Sequence, residues 1–332
     1  MAILEVKENL HRAKIRESSW EDKKFLLVGE LEKMIPVFDF RNLSSHEEIA
    51  GRLAKGEQMA FFGGVWGGFK GVKQATVNEG FFTRVKPGRP KEAKIATMMG
   101  PEQSIGLIDW SKVHKDFRFL QDHWEYKKLW ESHNAFLHII APIREPLDYI
   151  PDIFKTTPED FKARYPKLES LNSTTACFVW RNDPYLKHLS NFVKRLSHTN
   201  VFIGVSTLNR HGEEPPYSYE ELIDQLNDGR TNPADINLIV RDRLYEEYEA
   251  LGSHTQLRLP LEGEQPKLKV IRIGSLSPEG FAKATGFDFE ILPDIKDVRK
   301  NPGENLDKLL FYMKEEINQN WESEKPLIYF RN

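Results

Sequence analysis

The chain has 332 residues, of which 39% are hydrophobic and 29% charged, and its formal net charge is -3. This composition is typical of a folded globular protein and excludes a disordered or fibrous chain. The small negative charge argues against a protein that coats nucleic acid, although a local basic patch could still bind phosphates. The single cysteine, Cys177, excludes an intramolecular disulfide and a cysteine-rich zinc site. No stretch approaches the roughly 18 apolar residues of a membrane span, so we expect a cytoplasmic protein with no membrane partner.

The N-terminal part predicts a helical extension followed by the start of a sheet. The stretch "EDKKFLLVGELEKMIPVF" is amphipathic, which favours a helix packed on the main body. Ser45 and Glu48 have the spacing of a capping box and predict a short helix in "SHEEIAGRLAKGE". A strand, "QMAFF", ends in five glycines between Gly63 and Gly71. Glycines allow the backbone to approach a ligand closely, while a flexible turn between two strands is the alternative.

A basic run and a less informative segment follow. Residues 84–94, "RVKPGRPKEAK", carry five basic side chains against one acid, held in extended or turn conformation by proline and glycine. A solvated charged loop is the alternative interpretation. The segment "DHWEYKKLWESHNAFLHIIAP" predicts a helix and then a strand. Its histidines lack the spacing of zinc ligands, so we predict no metal site there.

From "STTACFVW" onward, strands alternate with helices. Residues 174–180 predict a buried strand, Asp183 and Pro184 predict a helix start, and residues 201–206 predict the next strand. This alternation is typical of an α/β or α+β sheet domain.

The same alternation continues to the end of the chain. A second capping box, Ser218 with Glu221, predicts another helix, and "DINLIVRD", "HTQLRLPL" and "LKVIRIG" predict further strands. Ser277 and Pro278 begin a helix, and "GENLDKLLFYMKEEINQNW" has one apolar face that predicts a terminal helix docked on the body.

The chemical candidates are groups that bind phosphates or carbonyls. The chain has no Walker A, G-x-S-x-G, H-E-x-x-H or dinucleotide-binding motif. It does place Ser206, Thr207 and Asn209 where a buried strand ends, and Arg272 just before Gly274. Arginine holds phosphate oxygens in a bidentate fork, while hydroxyls and amides orient a substrate. Thr207 and Asn209 alternate and can face one side, although Asn209 closing a turn and Thr207 bonding backbone is the alternative.

The order of these segments resembles the YrdC-type family, which includes the threonylcarbamoyl-AMP synthases of tRNA modification. "VSTLNRHGEEPP" is similar to the family's "S-T-S-A-N-x-S-G-x-x-P", with Thr207, Asn209 and Gly212 at its serine, asparagine and glycine. "ADINLIVRD" resembles the family's next strand, and "SHTQLRL" resembles its "P-S-T-v-v-d" with His254 and Thr255 in the serine and threonine places.

Two further segments complete the resemblance. "VIRIGSLSPEGF" is similar to the family's "l-R-p-G-a-i-s", which supplies Arg272, and "STTACFVWRNDPYLKHL" resembles a strand and helix that supply Arg181. The resemblance covers roughly residues 46–290. It divides the chain into a helical extension at 1–45, a YrdC-like domain at 46–290 and a second helical extension at 291–332.

The resemblance implies a fold and a set of functional residues. The fold is α/β (α+β), a YrdC-like twisted mixed sheet with flanking helices around a basic concave cavity, where ATP, bicarbonate and threonine are joined and magnesium accompanies the nucleotide. Lys86 and Arg89 would be catalytic, by neutralising phosphates and developing charge. Substrate contacts would come from Thr207, Asn209, Trp66 and Gly67. Nucleotide contacts would come from Ser206, Arg181, Thr255 and Arg272.

Two departures from the family pattern bear on activity. The family's "P-T-E-T-x-Y-G-L" loop corresponds here to "FGGVWGGF", without the threonine and the acid, which favours a different amino acid, carbamoyl phosphate chemistry or hydrolysis of such adenylates. The family's "K-G-R-P" appears as "KPGRP". On a strand the extra residue would turn Lys86 or Arg89 to the other face, so Arg84 with Lys86 is a rival pair.

The predicted function is therefore ATP-dependent formation or handling of a carbamoylated acyl-adenylate by a nucleotidyltransferase-type enzyme. Its small-molecule substrate would be an amino acid with bicarbonate or a carbamoyl donor. The alternative is a non-catalytic protein that binds a nucleotide, tRNA or another RNA in the same basic concavity.

Overall fold

A computed structural model of the chain describes residues 16–20, 23–28, 33–63, 65–73, 80–90, 93–98, 101–122, 137–145, 150–166, 171–180, 184–197, 201–247 and 252–298. Within these ranges one mixed sheet of 14 strands runs through the molecule. The strands are β1 Arg16–Trp20, β2 Lys23–Val28, β3 Lys33–Asp39, β4 Gln58–Phe62, β5 Trp66–Lys73, β6 Ala96–Met98, β7 Leu137–Pro142, β8 Lys155–Thr156, β9 Thr175–Trp180, β10 Val201–Thr207, β11 Leu238–Arg241, β12 Thr255–Arg258, β13 Leu268–Ile273 and β14 Phe289–Asp297.

Eight α-helices are present in the described ranges, together with short 3-10 turns. The helices are α1 His46–Ala54, α2 Gly80–Val85, α3 Pro101–Leu107, α4 Pro158–Arg164, α5 Pro184–Ser197, α6 Tyr219–Asn227, α7 Arg243–Glu247 and α8 Pro278–Thr285. None of the described helices is long and apolar enough to cross a membrane.

The strand order places the predicted strand-end motif near the middle of the sheet. The order is β1-β2-β3-β11-β4-β5-β10-β6-β9-β7-β12-β13-β14, and β8 pairs with β9. Strand β10 is antiparallel to both of its neighbours, β5 and β6, whereas β6 is parallel to β9 and β7 is parallel to β12. The predicted mixed α/β sheet with flanking helices is therefore confirmed.

Apolar helix faces cover the sheet. In α1, Ile49, Ala50 and Leu53 are fully buried, because they recur at the spacing that brings side chains to one face of a helix. In α5, Leu186 and Leu189 are buried in the same hydrophobic core. Burying one such aliphatic side chain contributes about 1.5–3 kcal/mol.

The N-terminal helix predicted from "EDKKFLLVGELEKMIPVF" is wrong. This stretch contains β2 and β3, which pair antiparallel with each other. The far side of β3 pairs in parallel with β11 through Val37, Phe38 and Asp39, so its backbone bonds are satisfied on both sides. Pro36 would also have interrupted a helix. Residues 33–39 thus belong to the main sheet and not to a helical extension.

The C-terminal boundary also differs from the prediction. Strand β14 contains residues 290 and 291 and pairs in parallel with β13. The predicted boundary between the domain and the C-terminal extension, at 290/291, therefore lies within a strand. The helix predicted from "GENLDKLLFYMKEEINQNW" lies outside the described residues. Asp183, predicted to begin α5, also lies outside them.

Candidate functional site

One face of the central strands forms the wall of a cavity of about 160 Å³. That volume is about ten times what a single water molecule needs, so the cavity has room for a small organic molecule. Because side chains alternate across a strand, residues two apart reach the cavity together. These pairs are His138 and Ile140 on β7, Thr175 and Cys177 on β9, Ala96 and Met98 on β6, and Val205 and Thr207 on β10.

The cavity carries an excess of positive charge. Its cationic lining residues are Lys86, Arg89, Lys94, Arg164 and Arg272. No aspartate or glutamate occurs among the described residues that line it. Lys94 pairs with Asp160, with Nζ 3.4 Å from Oδ2, whereas the other four cations form no ion pair within the described part of the chain. A partly enclosed space with this charge attracts an anionic ligand.

Lys86 joins the basic run to the strand-end motif. It follows α2 in a turn where Gly88 has a φ of 79°. Its Nζ donates to Thr207 Oγ1 at 2.6 Å and to Asn209 Oδ1 at 2.9 Å. The Asn209 amide donates in turn to the Glu213 carbonyl at 2.6 Å, which fixes the direction of its oxygen. The alternate spacing of Thr207 and Asn209 therefore lets both side chains hold one lysine.

The environment of Lys86 disfavours its charged form. Burial, followed by the positive charges of Arg89, Arg272, Lys296 and Arg164, lowers the pKa of Lys86 to about 7. An anion in the cavity would reverse the electrostatic part of this effect, because a neighbouring negative charge favours the ammonium.

Arg89 is held by backbone carbonyls as well as by the strand end. Its Nε donates to the Ala93 carbonyl at 2.5 Å, and one Nη donates to Ser206 Oγ at 2.9 Å. The other Nη donates to the Lys94 carbonyl. Burial and the charge of Arg164 lower the pKa of Arg89 to about 10, so the guanidinium stays charged at neutral pH.

The extra residue in "KPGRP" does not separate Lys86 from Arg89. Both line the cavity because the segment is a turn after a helix, and the alternation of a strand does not apply. The rival residue, Arg84, is half exposed and pairs with Asp235, with 2.7 Å between Nη2 and Oδ1. Arg84 is not among the residues that line the cavity.

Arg272 reaches the cavity from β13, where its Nε donates to the His254 carbonyl at 3.0 Å. Burial is the main cause that lowers the pKa of Arg272 to about 10.

Thr255, the other residue predicted in this part of the chain, lies outside the cavity. It is fully buried, donates to the Leu276 carbonyl and accepts from Gly274 N at 2.9 Å. Thr255 thus fixes the backbone beside Arg272 and does not line the cavity.

Three glycines of the glycine-rich run, Gly67, Gly68 and Gly71, lie in strand β5, whereas Gly63 precedes that strand. Gly67 lies opposite Thr207 in the β5–β10 pairing and lines the cavity. A Cβ at Gly67 would lie 2.8 Å from the Phe69 ring and 3.3 Å from the Ser206 carbonyl oxygen, so a larger side chain would require the ring to shift. Trp66 faces away: it is fully buried, and its ring centroid lies 5.3 Å from that of Phe62. The structure therefore places Gly67 at the cavity and Trp66 in the core, while Arg181 lies outside the described residues.

Sequence reasoning missed a histidine pair in the cavity wall. His138 Nε2 lies 2.8 Å from His254 Nδ1, and His138 Nδ1 lies 3.1 Å from the Gln256 amide nitrogen. Burial, followed by the charges of Arg272 and Arg164, lowers the pKa of His138 well below its ordinary value, so His138 is neutral at pH 7. The alternation in "LHIIAP" predicts that His138 shares a face with Ile140, but nothing in the sequence indicates which face is the cavity.

Arg164 is the other lining cation that the sequence did not reveal. It is the last residue of α4, and it lines the cavity together with Phe161 and Tyr165. Its guanidinium carbon lies 5.2 Å from the centroid of the Tyr165 ring. No motif surrounds it, and only the packing of α4 beside the sheet brings it to the site.

The fold has known counterparts. P. abyssi Sua5 in complex with L-threonine is 17% identical, with a TM-score of 0.51 over 88% of this chain and 78% of that one. A variant structure of P. abyssi Sua5 has 16% identity and a TM-score of 0.49, over 86% and 76%. E. coli YciO has 15% identity and a TM-score of 0.48, over 75% and 100%. No protein-family model and no curated protein matches the chain. The likeness to threonine-bound Sua5 confirms the YrdC-type fold that the motifs predict, in a diverged sequence.

Proposed function

We propose that the cavity binds ATP and that the chain forms or handles a carbamoylated acyl-adenylate. The observation that carries this proposal is the convergence of Lys86, Arg89, Arg164 and Arg272 on a cavity whose described lining has no carboxylate. Phosphate oxygens are the anions that such a set of donors binds best, because each guanidinium can form two parallel hydrogen bonds. The P. abyssi Sua5 structure was obtained with L-threonine, which supports a small-molecule site in this fold.

The proposed mechanism is electrostatic positioning. Arg89 is held by Ser206 and two carbonyls, and Lys86 by Thr207 and Asn209, so neither side chain must reorganise when charge develops. A substrate carboxylate would attack the α-phosphorus of ATP, forming an O–P bond while pyrophosphate leaves. The cations would neutralise the negative charge that gathers on the phosphoryl oxygens.

The cavity also favours a substrate without an ammonium group. A free amino acid would bring a positive charge that no described lining carboxylate could pair with. A carbamoylated amino acid has lost that charge and presents only anionic groups to the arginines. Phe61, Phe69 and Phe161 form an apolar part of the wall that would take its side chain.

Magnesium finds no ligand set of its own in the described residues. No group of three or more His, Cys, Asp or Glu side chains there could hold a metal ion. A magnesium ion usually binds through one or two carboxylates together with phosphates and water. We therefore assign magnesium to the nucleotide's phosphates and water molecules, and no step of the proposed mechanism depends on the ion.

Pyrophosphate release tests the proposal. The assay contains ATP, magnesium and bicarbonate, with threonine first and then a panel of amino acids and carbamoyl phosphate. We expect release that requires one of these substrates and that falls at least about 10-fold in Arg89→Gln, the loss expected for one charged hydrogen bond. Arg230→Ala is the control, because Arg230 is exposed and pairs only locally with Asp228. Absence of release from every substrate, with ATP or salt-sensitive RNA binding retained, would favour the non-catalytic binding protein.

A further inference from the structure

The amino group of Lys86 has a specific arrangement of neighbours. A neutral amine has four tetrahedral positions, occupied by Cε, two hydrogens and a lone pair. Thr207 Oγ1 and Asn209 Oδ1 accept hydrogen bonds from Nζ at 2.6 Å and 2.9 Å. With both hydrogens of the neutral form engaged, the remaining position is the lone pair, on a residue that lines the cavity.

The positive charges around the Lys86 amine disfavour its protonated form and favour a negatively charged group at this position. Cationic groups act on it from separate elements and no carboxylate lies among the described lining residues. The groups whose charge disfavours the ammonium are Arg89, Arg272, Lys296 and Arg164, and His211 also lines the cavity. Because burial and these charges lower the pKa of Lys86 to about 7, about half of the protein molecules carry a neutral Lys86 at pH 7.

We propose that Lys86 is a carbon dioxide acceptor, whose Nζ forms a reversible carbamate when no nucleotide occupies the cavity. The Nζ lone pair attacks the carbon of CO₂ and an N–C bond forms. One C=O electron pair moves to oxygen, and Nζ releases one of its two protons to solvent. The product is an anionic carbamate whose remaining N–H keeps one of the two hydrogen bonds, to Thr207 or Asn209. Arg89 and Arg272 line the same cavity and their charges act on Lys86, so their remaining N–H groups would donate to that anion.

The modification and an anionic ligand exclude each other. A bound phosphate restores the proton on Lys86 and removes the nucleophile, whereas the carbamate converts a cation into an anion and repels phosphate. This inference does not depend on adenylate chemistry, because it requires only dissolved carbon dioxide and the cavity.

Chemical trapping tests the inference. The full chain is equilibrated with ¹³C-bicarbonate, alkylated with triethyloxonium to fix any carbamate as its ethyl ester, digested and examined by mass spectrometry. We expect the label on Lys86 at pH 8, at least about fivefold less label at pH 6 where the amine is protonated, and suppression by pyrophosphate. Lys94 is the internal control, because it lines the same cavity but pairs with Asp160.

Three outcomes would overturn the inference: no label on Lys86, equal label on Lys94, or label that pyrophosphate does not suppress. Bicarbonate that binds in the cavity only as an ion, without an N–C bond, would leave no label on Lys86. Arg272→Ala keeps the lysine and should lower its label severalfold, so the test requires no substitution at Lys86. Because no ATP is present, failure here is distinct from failure of the proposed function.

Discussion

At the scale of single residues, the site is built by hydrogen bonds between the basic run and the strand end. Lys86 binds Thr207 and Asn209, and Arg89 binds Ser206, across more than one hundred residues of sequence. The strand end predicted Ser206, Thr207 and Asn209, because alternating polar side chains are a local pattern, and the family resemblance implied Lys86 and Arg89. The pairing between the members is not local. Lys86 and Arg89 lie in a turn, so the alternation of side chains along a strand does not predict that both face one cavity.

The burial of Lys86 predicts how the stability of the folded protein depends on pH. The ordinary lysine pKa of 10.5 falls to about 7 in the folded protein. Between these values the unfolded chain binds more protons, so this residue's contribution to stability rises with pH and is lost as the pH falls through about 7. Lys86→Met should therefore be more stable than the native protein at pH 6, by at least about 2 °C in the thermal midpoint. The gain should shrink steadily as the pH rises toward 10.

Thermal midpoints of both proteins between pH 6 and pH 9.5 measure this effect. Lys55→Met is the control, because Lys55 is exposed and lies outside the cavity. A gain in Lys86→Met that does not change with pH would show that the methionine packs well and that the lysine's proton is not involved.

At the scale of elements, the chain offers two helix starts with the same sequence pattern and different geometry. Ser218 caps α6 with a full capping box: Glu221 N donates to Ser218 Oγ at 3.1 Å, and the Glu221 carboxylate accepts from the backbone of Ser218. Ser45 precedes α1 with Glu48 at the same spacing, yet its side chain makes no capping bond. The 3-10 turn that leads into α1 gives Ser45 helical backbone angles, which turn its hydroxyl away from the first turn.

We expect alanine substitutions of the two serines to lower the free energy of unfolding by different amounts. Ser218→Ala should lower the free energy of unfolding by about 1 kcal/mol, whereas Ser45→Ala should change it by less than about 0.3 kcal/mol. Urea denaturation of the two variants measures the difference. Equal losses would contradict the assignment of a cap to Ser218 alone.

Gly274 is a second element-scale test, at the junction between β13 and α8. A Cβ there would overlap the backbone of Ser253 and His254, which cannot move without breaking the Thr255 bond to Gly274 N. We expect Gly274→Ala to destabilise the protein by more than about 3 kcal/mol, the range of severe backbone clashes. Gly106→Ala in α3 is the matched control, because nothing lies within 4 Å of its added Cβ and alanine favours a helix. A tolerated alanine at Gly274 would show that this turn has room for a Cβ.

The strands and helices of the second half could be predicted from sequence because their signals are local. Capping residues, prolines at first turns and short apolar runs predicted β9 to β13 and the helices α5, α6 and α8, whereas the short helix α7 was not predicted. The segment 21–38 could not, since its apolar residues satisfy a helical spacing as well as a strand. Pairing of β3 with β11, about 200 residues away, decides the outcome.

At the scale of the whole molecule, a near-neutral chain concentrates positive charge at one point. The formal net charge is -3, yet four cations without an ion-pair partner in the described residues face one cavity. They come from the α2–β6 turn, from α4 and from β13, so no run of sequence contains the site. Composition predicted that any basic region would be local, and the family motifs indicated two of its three sources. The third, Arg164, depends on how α4 packs beside the sheet.

The most direct test of the account is calorimetric titration of ATP into the native protein, Arg272→Ala and Arg230→Ala, with thermal midpoints measured on the same samples. We predict that Arg272→Ala binds ATP about 10- to 100-fold more weakly, the loss of one buried charged hydrogen bond, while its thermal midpoint stays nearly unchanged. Arg230→Ala should match the native protein in both measurements. Equal ATP affinity in all three proteins, or a parallel loss of affinity and stability in Arg272→Ala, would contradict a phosphate-binding role for the cationic cavity.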